Sequence, residues 1–218
     1  MTLKVYGLPQ SSATQRVLVV LKEKNVPYEL VPVDFFGGEL KSLAFLAKSP
    51  FGLIPYIDDD GFILCESLAI CKYIAAKYAG SGTPLLPDQS DVKAVALFEE
   101  ACSVEESNFQ PIATGIVVEK YFKAFRGLQP DDKVVEECIS KLNEKLGGYE
   151  AILKKRRFLT GDNMTVADLA HLPTGTIIGD VGVKLLGDPD KRPNVARWWK
   201  EISSLPSWLT VVAEAKAA

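Results

Sequence analysis

The sequence lacks the features that mark several common classes of protein. Its 218 residues contain no apolar run of the roughly 20 residues that cross a bilayer, and the N-terminus shows no basic flank followed by an apolar stretch. Lysine and arginine number 25 against 28 aspartates and glutamates, so no excess of positive charge marks a surface for nucleic acid or an anionic membrane. These absences predict a cytoplasmic protein that binds neither nucleic acid nor membrane.

Cysteine and histidine are also scarce. The four cysteines, Cys65, Cys71, Cys102 and Cys138, are scattered without a CxxC pair, and the only histidine, His171, stands at no metal-ligand spacing from them. We therefore predict no metal site, reduced thiols that are mostly buried, and a structural role for the histidine.

The N-terminal part of the chain alternates between strand and helix patterns, in the order βαβ–α–ββ–α. The first three elements form a βαβ unit, which implies parallel strands joined by a right-handed crossover. Two further short strands, separated by a turn rich in aspartate and glycine, predict a hairpin. This order is that of the thioredoxin fold. The predicted strands lie at 3–6, 28–33, 54–57 and 62–64, and the predicted helices at 16–24, 40–47 and 66–78.

The rest of the chain has a different composition. Residues 80–90 hold two glycines and two prolines, which is typical of an interdomain linker. After them strand patterns fade and helical periodicity takes over, with Pro111 expected to interrupt or kink the first helix. We predict an α/β thioredoxin-like N-terminal domain at 1–79, a linker at 80–90, and an all-α helical bundle domain at 91–218.

Four stretches of the sequence match one family in order and spacing. They are Leu3–Gly7 with Ser11–Val17, Ser49–Pro55, Glu66–Ile74, and Phe158–Asp162 with Thr165–Pro173. In these stretches the chain resembles phi-class glutathione S-transferases, over nearly its whole length. The resemblance implies an enzyme that joins the glutathione thiolate to hydrophobic electrophiles, with glutathione as co-substrate and no other cofactor. It also implies a homodimer in which the aromatic side chain of Phe51 enters the partner subunit.

The start of the first helix carries the predicted catalytic residue. A free thiol has a pKa of about 8.5, so an enzyme that uses it as a nucleophile must favour the thiolate. A hydroxyl that donates to sulfur and the positive end of a helix both do so. Ser11 stands where the helix begins, and in the phi-class pattern the matching serine has this role. Alternatively, Ser11 is only an N-cap. Ser12 is also expected to contact glutathione and is the first alternative for the catalytic residue, and Thr14 is the second.

The remaining glutathione contacts follow from the resemblance. Backbone N–H groups and the Ser67 hydroxyl at a helix start would hold the γ-glutamyl carboxylate, and Glu66 would pair with the ammonium. Ile54 would bind the cysteinyl part through its main chain, because the matching proline, here Pro55, is cis in this fold. Lys41 would neutralise the glycyl carboxylate, with a solvated helix lysine as an equal alternative.

The second substrate is expected to bind in an apolar site between the two domains. The residues predicted to line it lie on the loop after the second strand and at helical spacing after Pro111. Ordinary core packing is the alternative for each of them. They are Phe35, Phe36, Ile112, Gly115, Ile116 and Glu119.

The chain departs from the phi-class pattern at three positions near the ligand or dimer surface. Leu40, Leu53 and Leu68 stand where the pattern commonly has histidine, glutamine and arginine. Each lost hydrogen bond costs about 1 kcal/mol, so weaker glutathione binding is expected. Two hypotheses follow: a transferase, for which glutathione peroxidase activity also stays open, and a non-catalytic carrier (ligandin) of glutathione and hydrophobic molecules.

Overall fold

The computed structural model describes residues 2–218, and its contacts divide the chain into two units. One holds the chain up to Leu86 together with Pro206–Ala218, and the other holds Pro87–Leu205. The boundary at residues 86 and 87 falls inside the predicted linker. No helix within residues 2–218 is both long enough and apolar enough to cross a membrane.

A four-stranded sheet in the order β2-β1-β3-β4 forms the centre of the first unit. Strand β1 pairs in parallel with β2, and β3 runs antiparallel to both β1 and β4. The β3–β4 turn has positive φ at Asp60 (56°) and Gly61 (88°), and the Asp58 carboxylate accepts from the Gly61 N–H at 2.8 Å. The strands are β1 (Leu3–Gly7), β2 (Tyr28–Pro32), β3 (Tyr56–Asp59) and β4 (Phe62–Leu64). The predicted thioredoxin-like order is confirmed.

Three helices of the first unit occur in the predicted order, although the first begins four residues before its predicted start at residue 16 and the second is shorter than the predicted 40–47. They are α1 (Ser12–Glu23), α2 (Leu43–Leu46) and α3 (Ser67–Lys77), with a 3-10 turn at Glu39–Lys41 before α2. Helix α1 is buried from Thr14 to Leu21, as its lack of a polar face predicts, and it packs along α3. On the other face of the sheet, Tyr6 stacks on Tyr56 with ring centroids 4.4 Å apart, and Phe45 of α2 packs edge-on against Tyr56.

The C-terminal helix α11 (Pro206–Ala217) belongs to the first unit, which differs from the predicted 91–218 domain. It packs on α1, where Glu214 pairs with Lys22 at 2.8 Å. The Ser207 hydroxyl also donates to the carboxylate of Glu23. Helical periodicity predicted this element correctly, but tertiary contacts decide to which unit a helix belongs.

The second unit is all-helical, as predicted. Two five-residue π-helical segments, Glu105–Phe109 and Val118–Phe122, interrupt an otherwise continuous run of helix. The first ends just before Pro111, whose missing N–H removes one bond of a regular helix. The helices are α4 (Val92–Val104), α5 (Gln110–Val117), α6 (Lys123–Phe125), α7 (Asp132–Leu153), α8 (Val166–Leu169), α9 (Leu172–Asp180) and α10 (Pro193–Ser203).

The core of the second unit is built around the carboxylate of Asp168. This side chain is fully buried and accepts from the N–H groups of Leu159 and Thr165 and from the Trp198 indole, each at 2.9 Å. Burial raises its pKa, and these hydrogen bonds oppose that shift. Thr165 and Asp168 form the capping box that their spacing predicts.

His171 is completely buried beside this carboxylate site. Its Nδ1 lies 2.9 Å from the carbonyl of Ala167, which can only accept, so Nδ1 carries the proton. Its Nε2 therefore accepts from the Tyr149 hydroxyl at 3.0 Å. Both ring nitrogens are used in packing the unit, and the structural role predicted for the histidine is confirmed.

Candidate active site

The first turns of α1 and α3 lie side by side at one edge of the first unit. Arg16 of α1 donates from Nη1 to the Ser67 hydroxyl oxygen at 3.2 Å, and its carbonyl accepts from the Cys71 thiol at 3.4 Å. Ser67 is the first residue of α3, and Ser11 precedes the first residue of α1. The two predicted helix starts are therefore brought together, and each presents unpaired backbone N–H groups and a positive dipole end.

Ser11 is the N-cap of α1. Its backbone is extended (φ −72°, ψ 123°), and its half-buried hydroxyl oxygen accepts from the Thr14 N–H at 3.4 Å. A serine hydroxyl has one hydrogen to donate besides its lone pairs, and within residues 2–218 that hydrogen has no acceptor. Ser11 thus satisfies the helix and keeps a donor for a group placed at the helix tip. Ser12, the first residue of the helix, is also half-buried.

The segment before β3 offers a stretch of main chain. The Ile54–Pro55 peptide bond is cis, as predicted. Across the described chain, neither the N–H nor the C=O of Ile54 takes part in a hydrogen bond. A half-buried residue with an unused donor and an unused acceptor can pair with an extended peptide in the manner of an added strand.

Glu66, at the N-cap position of α3, has an unusual backbone conformation. Its φ of 67° and ψ of 109° are costly for a residue with a side chain, by about 1–3 kcal/mol. Its side chain is exposed and does not cap the helix, while its carbonyl accepts from the Ile70 N–H at 2.9 Å. Strained backbone of this kind is concentrated at binding and catalytic sites.

The other residues predicted for the first unit are exposed. Lys41 lies in the 3-10 turn, and its ammonium forms no salt bridge with any described residue. Phe35 and Phe36 follow β2, are 42% and 75% exposed, and meet edge-on with ring centroids 5.3 Å apart. Two large aromatic side chains in water form an apolar surface that a hydrophobic molecule can cover.

The residues predicted after Pro111 mostly have contacts inside the second unit. Gly115 of α5 lies against α7, since a Cβ there would stand 2.7 Å from the Cys138 sulfur. Ile116 is fully buried and Ile112 half-buried. The carboxylate of Glu119 accepts from the Lys123 ammonium and from the Asp131 N–H, each at 2.6 Å. Glu119 therefore stabilises the start of α7, which is a different task from lining an apolar site.

Comparison with known proteins decides the family. Residues 5–82 match the glutathione S-transferase N-terminal domain and residues 109–206 match the glutathione S-transferase C-terminal domain. The chain belongs to the glutathione S-transferase family. It is 43% identical to glutathione S-transferase PM239X14 of Arabidopsis thaliana, over 91% of this chain and 90% of that protein.

Solved structures of phi-class transferases agree over the full length. Glutathione transferase F7 from Populus trichocarpa superposes with a TM-score of 0.92 at 39% identity, covering 98% of this chain and 99% of that one. Maize glutathione S-transferase I, solved with an atrazine glutathione conjugate, gives a TM-score of 0.91 at 32% identity with full coverage of both chains.

The three leucines that depart from the phi-class pattern have different environments in this transferase. Leu68 is buried, and Leu40 packs against the cluster of Val33, Phe45 and Tyr56. Only Leu53 is exposed, at 59%. Two of the three substitutions therefore extend the core of the first unit, and the third leaves an apolar side chain in solvent.

Arg16 of this transferase donates a hydrogen bond to Ser67 of the candidate site, and the sequence motifs do not single it out. It is buried, with 7% of its surface exposed, at the start of an apolar helix. Charged side chains are rarely buried unless they are paired, so a cation inside such a helix signals a specific partner. The sequence contains that signal, but only the structure identifies Ser67 as a partner.

Proposed function

We propose that this chain catalyses the attack of the glutathione thiolate on hydrophobic electrophiles, with Ser11 stabilising the thiolate. The observation that carries this proposal is the spare hydroxyl hydrogen of Ser11 at the tip of α1. Sulfur placed there receives a hydrogen bond and the positive end of the helix dipole, and both lower the pKa of a thiol. With an aryl halide, the sulfur–carbon bond forms, the halide leaves with its electron pair, and the thiol proton passes to solvent.

The glutathione contacts are proposed from the same edge of the first unit. The γ-glutamyl carboxylate would bind the first turn of α3 and the Ser67 hydroxyl, and Glu66 would pair with the ammonium. Ile54, before Pro55, would pair with the cysteinyl main chain. Lys41 would face the glycyl carboxylate, and Ser12 would assist at the tip of α1. The exposed Lys41 and the unused main-chain groups of Ile54 support this arrangement.

The hydrophobic substrate is proposed to contact Phe35 and Phe36. Their exposed rings support this role, as does the atrazine conjugate of glutathione held by the maize relative. Peroxide reduction uses the same thiolate and stays a prediction, as does the carrier role. A cytoplasmic location also stays a prediction from the sequence.

A two-fold homodimer is proposed from the turn around Phe51, whose side chain is 78% exposed. The turn is fixed by the buried Ser49, whose hydroxyl donates to the Leu53 carbonyl at 2.8 Å and accepts from the Leu53 N–H at 3.3 Å. An exposed aromatic on a well-ordered turn suits insertion into a second copy, because little conformational entropy is lost. Phe51→Ser should shift the molecular mass measured by light scattering towards the monomer, whereas Phe62→Ser, also an exposed aromatic, should not.

Conjugation of glutathione to chlorodinitrobenzene, measured beside a calorimetric titration with glutathione, tests the function. The proposal expects binding and turnover, with turnover lost in Ser11→Ala and kept in Ser12→Ala. Binding without turnover would select the carrier, and the absence of both would remove both hypotheses. Turnover lost in Ser12→Ala but kept in Ser11→Ala would transfer the catalytic role to Ser12.

A further inference from the structure

The loop that carries Phe35 and Phe36 is closed by the residues on either side of it. The Glu39 carboxylate accepts from the Asp34 N–H at 2.7 Å, and the Glu39 N–H donates to the Asp34 carbonyl at 3.2 Å. The two residues therefore bind each other in both directions, once through the glutamate side chain and once through the main chain alone. Residues 35–38 form a closed loop between them.

The main chain inside this loop is also hydrogen-bonded. The Asp34 carboxylate accepts from the Gly37 N–H at 2.7 Å, and the Phe35 N–H donates to the Val33 carbonyl at 2.8 Å. A Cβ at Gly37 would overlap the Asp34 carboxylate, so glycine is needed for this close approach. The backbone is thus held both before and after Phe36.

Both ends of the loop are attached to one apolar cluster. Val33, just before the loop, is 3% exposed and belongs to the cluster with Phe45 and Tyr56. Leu40, just after the loop, packs against the same cluster. Position 40 is one of the three departures from the phi-class pattern, and here the leucine adds an apolar contact at the base of the loop.

A closed loop changes what it costs to bind an apolar group. The rings of Phe35 and Phe36 are exposed and meet edge-on, so they present one apolar surface to solvent. If the loop were open, a ligand that covers the rings would have to order the backbone as well, at about 1–2 kcal/mol for each residue fixed. The bonds between Asp34 and Glu39 remove part of that cost before the ligand arrives.

We propose that Glu39 is a positioning residue for the hydrophobic substrate. Its carboxylate holds the loop in the conformation in which Phe35 and Phe36 receive the apolar group that reacts with the glutathione sulfur. The inference rests on the proposed function, because it names a determinant of specificity in the same site. Glu39 itself touches no substrate, so its effect should depend on the size of the apolar group and should require the two rings.

Calorimetric titrations with S-methylglutathione and S-benzylglutathione test the proposal, because the ratio of the two affinities measures what the benzyl group contributes. The unaltered protein should bind the benzyl compound more tightly. Glu39→Ala should lower the ratio about fivefold, since binding must then order the loop. In steady-state assays, KM for chlorodinitrobenzene should rise by a similar factor, while kcat stays within about twofold.

Affinity for S-methylglutathione should stay within about twofold in Glu39→Ala. The 3-10 turn that carries Lys41 is held by main-chain bonds, from the Lys41 N–H to the Gly38 carbonyl at 3.0 Å and from the Ser42 N–H to the Glu39 carbonyl at 2.9 Å. Alanine keeps both bonds. A loss confined to the benzyl compound therefore distinguishes positioning of the rings from a general loosening of the first unit.

Two further substitutions change the closure in different ways. Glu39→Gln keeps an oxygen that can accept from the Asp34 N–H, so the ratio of affinities should stay within about twofold of that of the unaltered protein. Gly37→Ala leaves Glu39 in place, but its Cβ displaces the Asp34 carboxylate, so the ratio should fall. Thermal unfolding of each variant shows whether it is folded, and Gly37→Ala serves as the test if Glu39→Ala is not.

Two controls show whether the effect passes through the rings. Glu29→Ala removes another exposed glutamate of the same region, which pairs only loosely with Lys4 at 3.9 Å, and should leave the ratio unchanged. In a variant that carries both Phe35→Ala and Phe36→Ala, adding Glu39→Ala should change the ratio no further.

The outcomes are distinct. An unchanged ratio in Glu39→Ala, equal losses for the two glutathione derivatives, or an undiminished effect without the rings would each overturn the positioning role. Equal affinities of the unaltered protein for the two derivatives would overturn it as well and leave the proposed function standing. Absence of binding by the unaltered protein to both derivatives and to glutathione would refute the proposed function itself.

Discussion

The two units place the same residue types at helix starts and use them in opposite ways. In the second unit, Thr165 and Asp168 direct their hydrogen bonds inward, and the Asp168 carboxylate alone accepts from three other residues. In the first unit, the hydroxyls of Ser11 and Ser67 each accept one bond and donate none within the described chain. The comparison teaches that unused hydrogen-bonding capacity in a half-buried position distinguishes the proposed binding groups, Ser11 and Ser67, from a structural cap.

The largest expected effect lies on the structural side of this comparison. Asp168→Ala leaves the buried N–H groups of Leu159 and Thr165 and the Trp198 indole without an acceptor. We expect the free energy of unfolding to fall by about 3–5 kcal/mol, measured by chemical denaturation. The exposed Asp162→Ala in the preceding loop should change it by less than about 0.5 kcal/mol. A small loss in Asp168→Ala would contradict the view that these donors depend on one carboxylate.

The second largest expected effect concerns catalysis and the first unit. Ser11→Ala should lower kcat/KM by about a hundredfold, as expected for removing one donor from a developing or fixed anion. The free energy of unfolding should fall by only about 1 kcal/mol, the usual effect of losing an N-cap. The pKa of bound glutathione, followed by the ultraviolet absorbance of the thiolate, should rise. An unchanged thiol pKa would make Ser11 a structural cap like Thr165.

Most helices and strands of the first unit could be predicted from the sequence, because the patterns that define them are local. The β3–β4 turn at Asp60 and Gly61 and the start of α3 at Ser67 depend on neighbouring residues and lie within one or two residues of their predicted places. Helix α1 was also predicted, but it begins at Ser12, four residues before the predicted start at residue 16. In the second unit, the capping box of Thr165 and Asp168 follows from a local pattern of the same kind. Ser11 and the pair Glu66 and Ser67 were also predicted from local patterns at helix starts, and the family resemblance suggested their roles.

The features that could not be predicted from the sequence are side-chain partners and helix packing, which depend on contacts between residues far apart in the chain. The pairing of Arg16 with Ser67 spans 51 positions, and the packing of α11 on α1 brings Glu214 to Lys22 across 192. Periodicity places Glu119 on the same helical face as Ile112 and Ile116, but the carboxylate turns to Lys123 and the N–H of Asp131. Periodicity defines the face of a helix, and only the tertiary structure defines which partner that face meets.

A third, smaller effect tests whether a carboxylate cap of the second unit responds to pH. Glu150 of α7 accepts from the N–H groups of Asn194 and Val195 at 3.1 and 2.9 Å, in the first turn of α10. Burial by itself would raise the pKa of Glu150, but the hydrogen bonds from Asn194 and Val195 outweigh it, and the pKa lies below its ordinary value of 4.5. A lowered pKa means that the ionised carboxylate stabilises the folded state at every pH above that ordinary value.

Glu150→Gln should therefore lower the free energy of unfolding by about 1–2 kcal/mol at neutral pH. The difference from the unaltered protein should shrink as the pH falls below 4.5 and through the lower folded-state pKa, because the carboxylate is then protonated in both states. Denaturation curves at a series of pH values measure this. If the difference in free energy of unfolding stays constant down to low pH, the charge of Glu150 does not contribute to stabilising the start of α10.

The smallest expected effect concerns Glu66, where one substitution should raise the stability of the fold and lower the affinity for glutathione. Its φ of 67° and ψ of 109° suit glycine better than glutamate, so Glu66→Gly should raise the free energy of unfolding by about 1 kcal/mol. The same change removes the proposed partner of the glutathione ammonium, so affinity for glutathione, measured by calorimetry, should fall. Glu66→Gln removes the charge but keeps the backbone cost, and should weaken binding without a gain in stability.

A second residue with positive φ shows whether the site itself makes the difference. Asn25, after α1, has a φ of 52°, a region that asparagine tolerates well, so Asn25→Gly should change neither stability nor glutathione affinity appreciably. If Glu66→Gly also leaves stability unchanged, the unusual backbone costs nothing and no longer marks a functional position. If Glu66→Gly stabilises the fold and weakens glutathione binding, the first unit retains an unfavourable backbone conformation because its ligand needs the Glu66 side chain. The carboxylate of Asp168, whose hydrogen bonds all go to neighbouring protein groups, would by contrast serve stability alone.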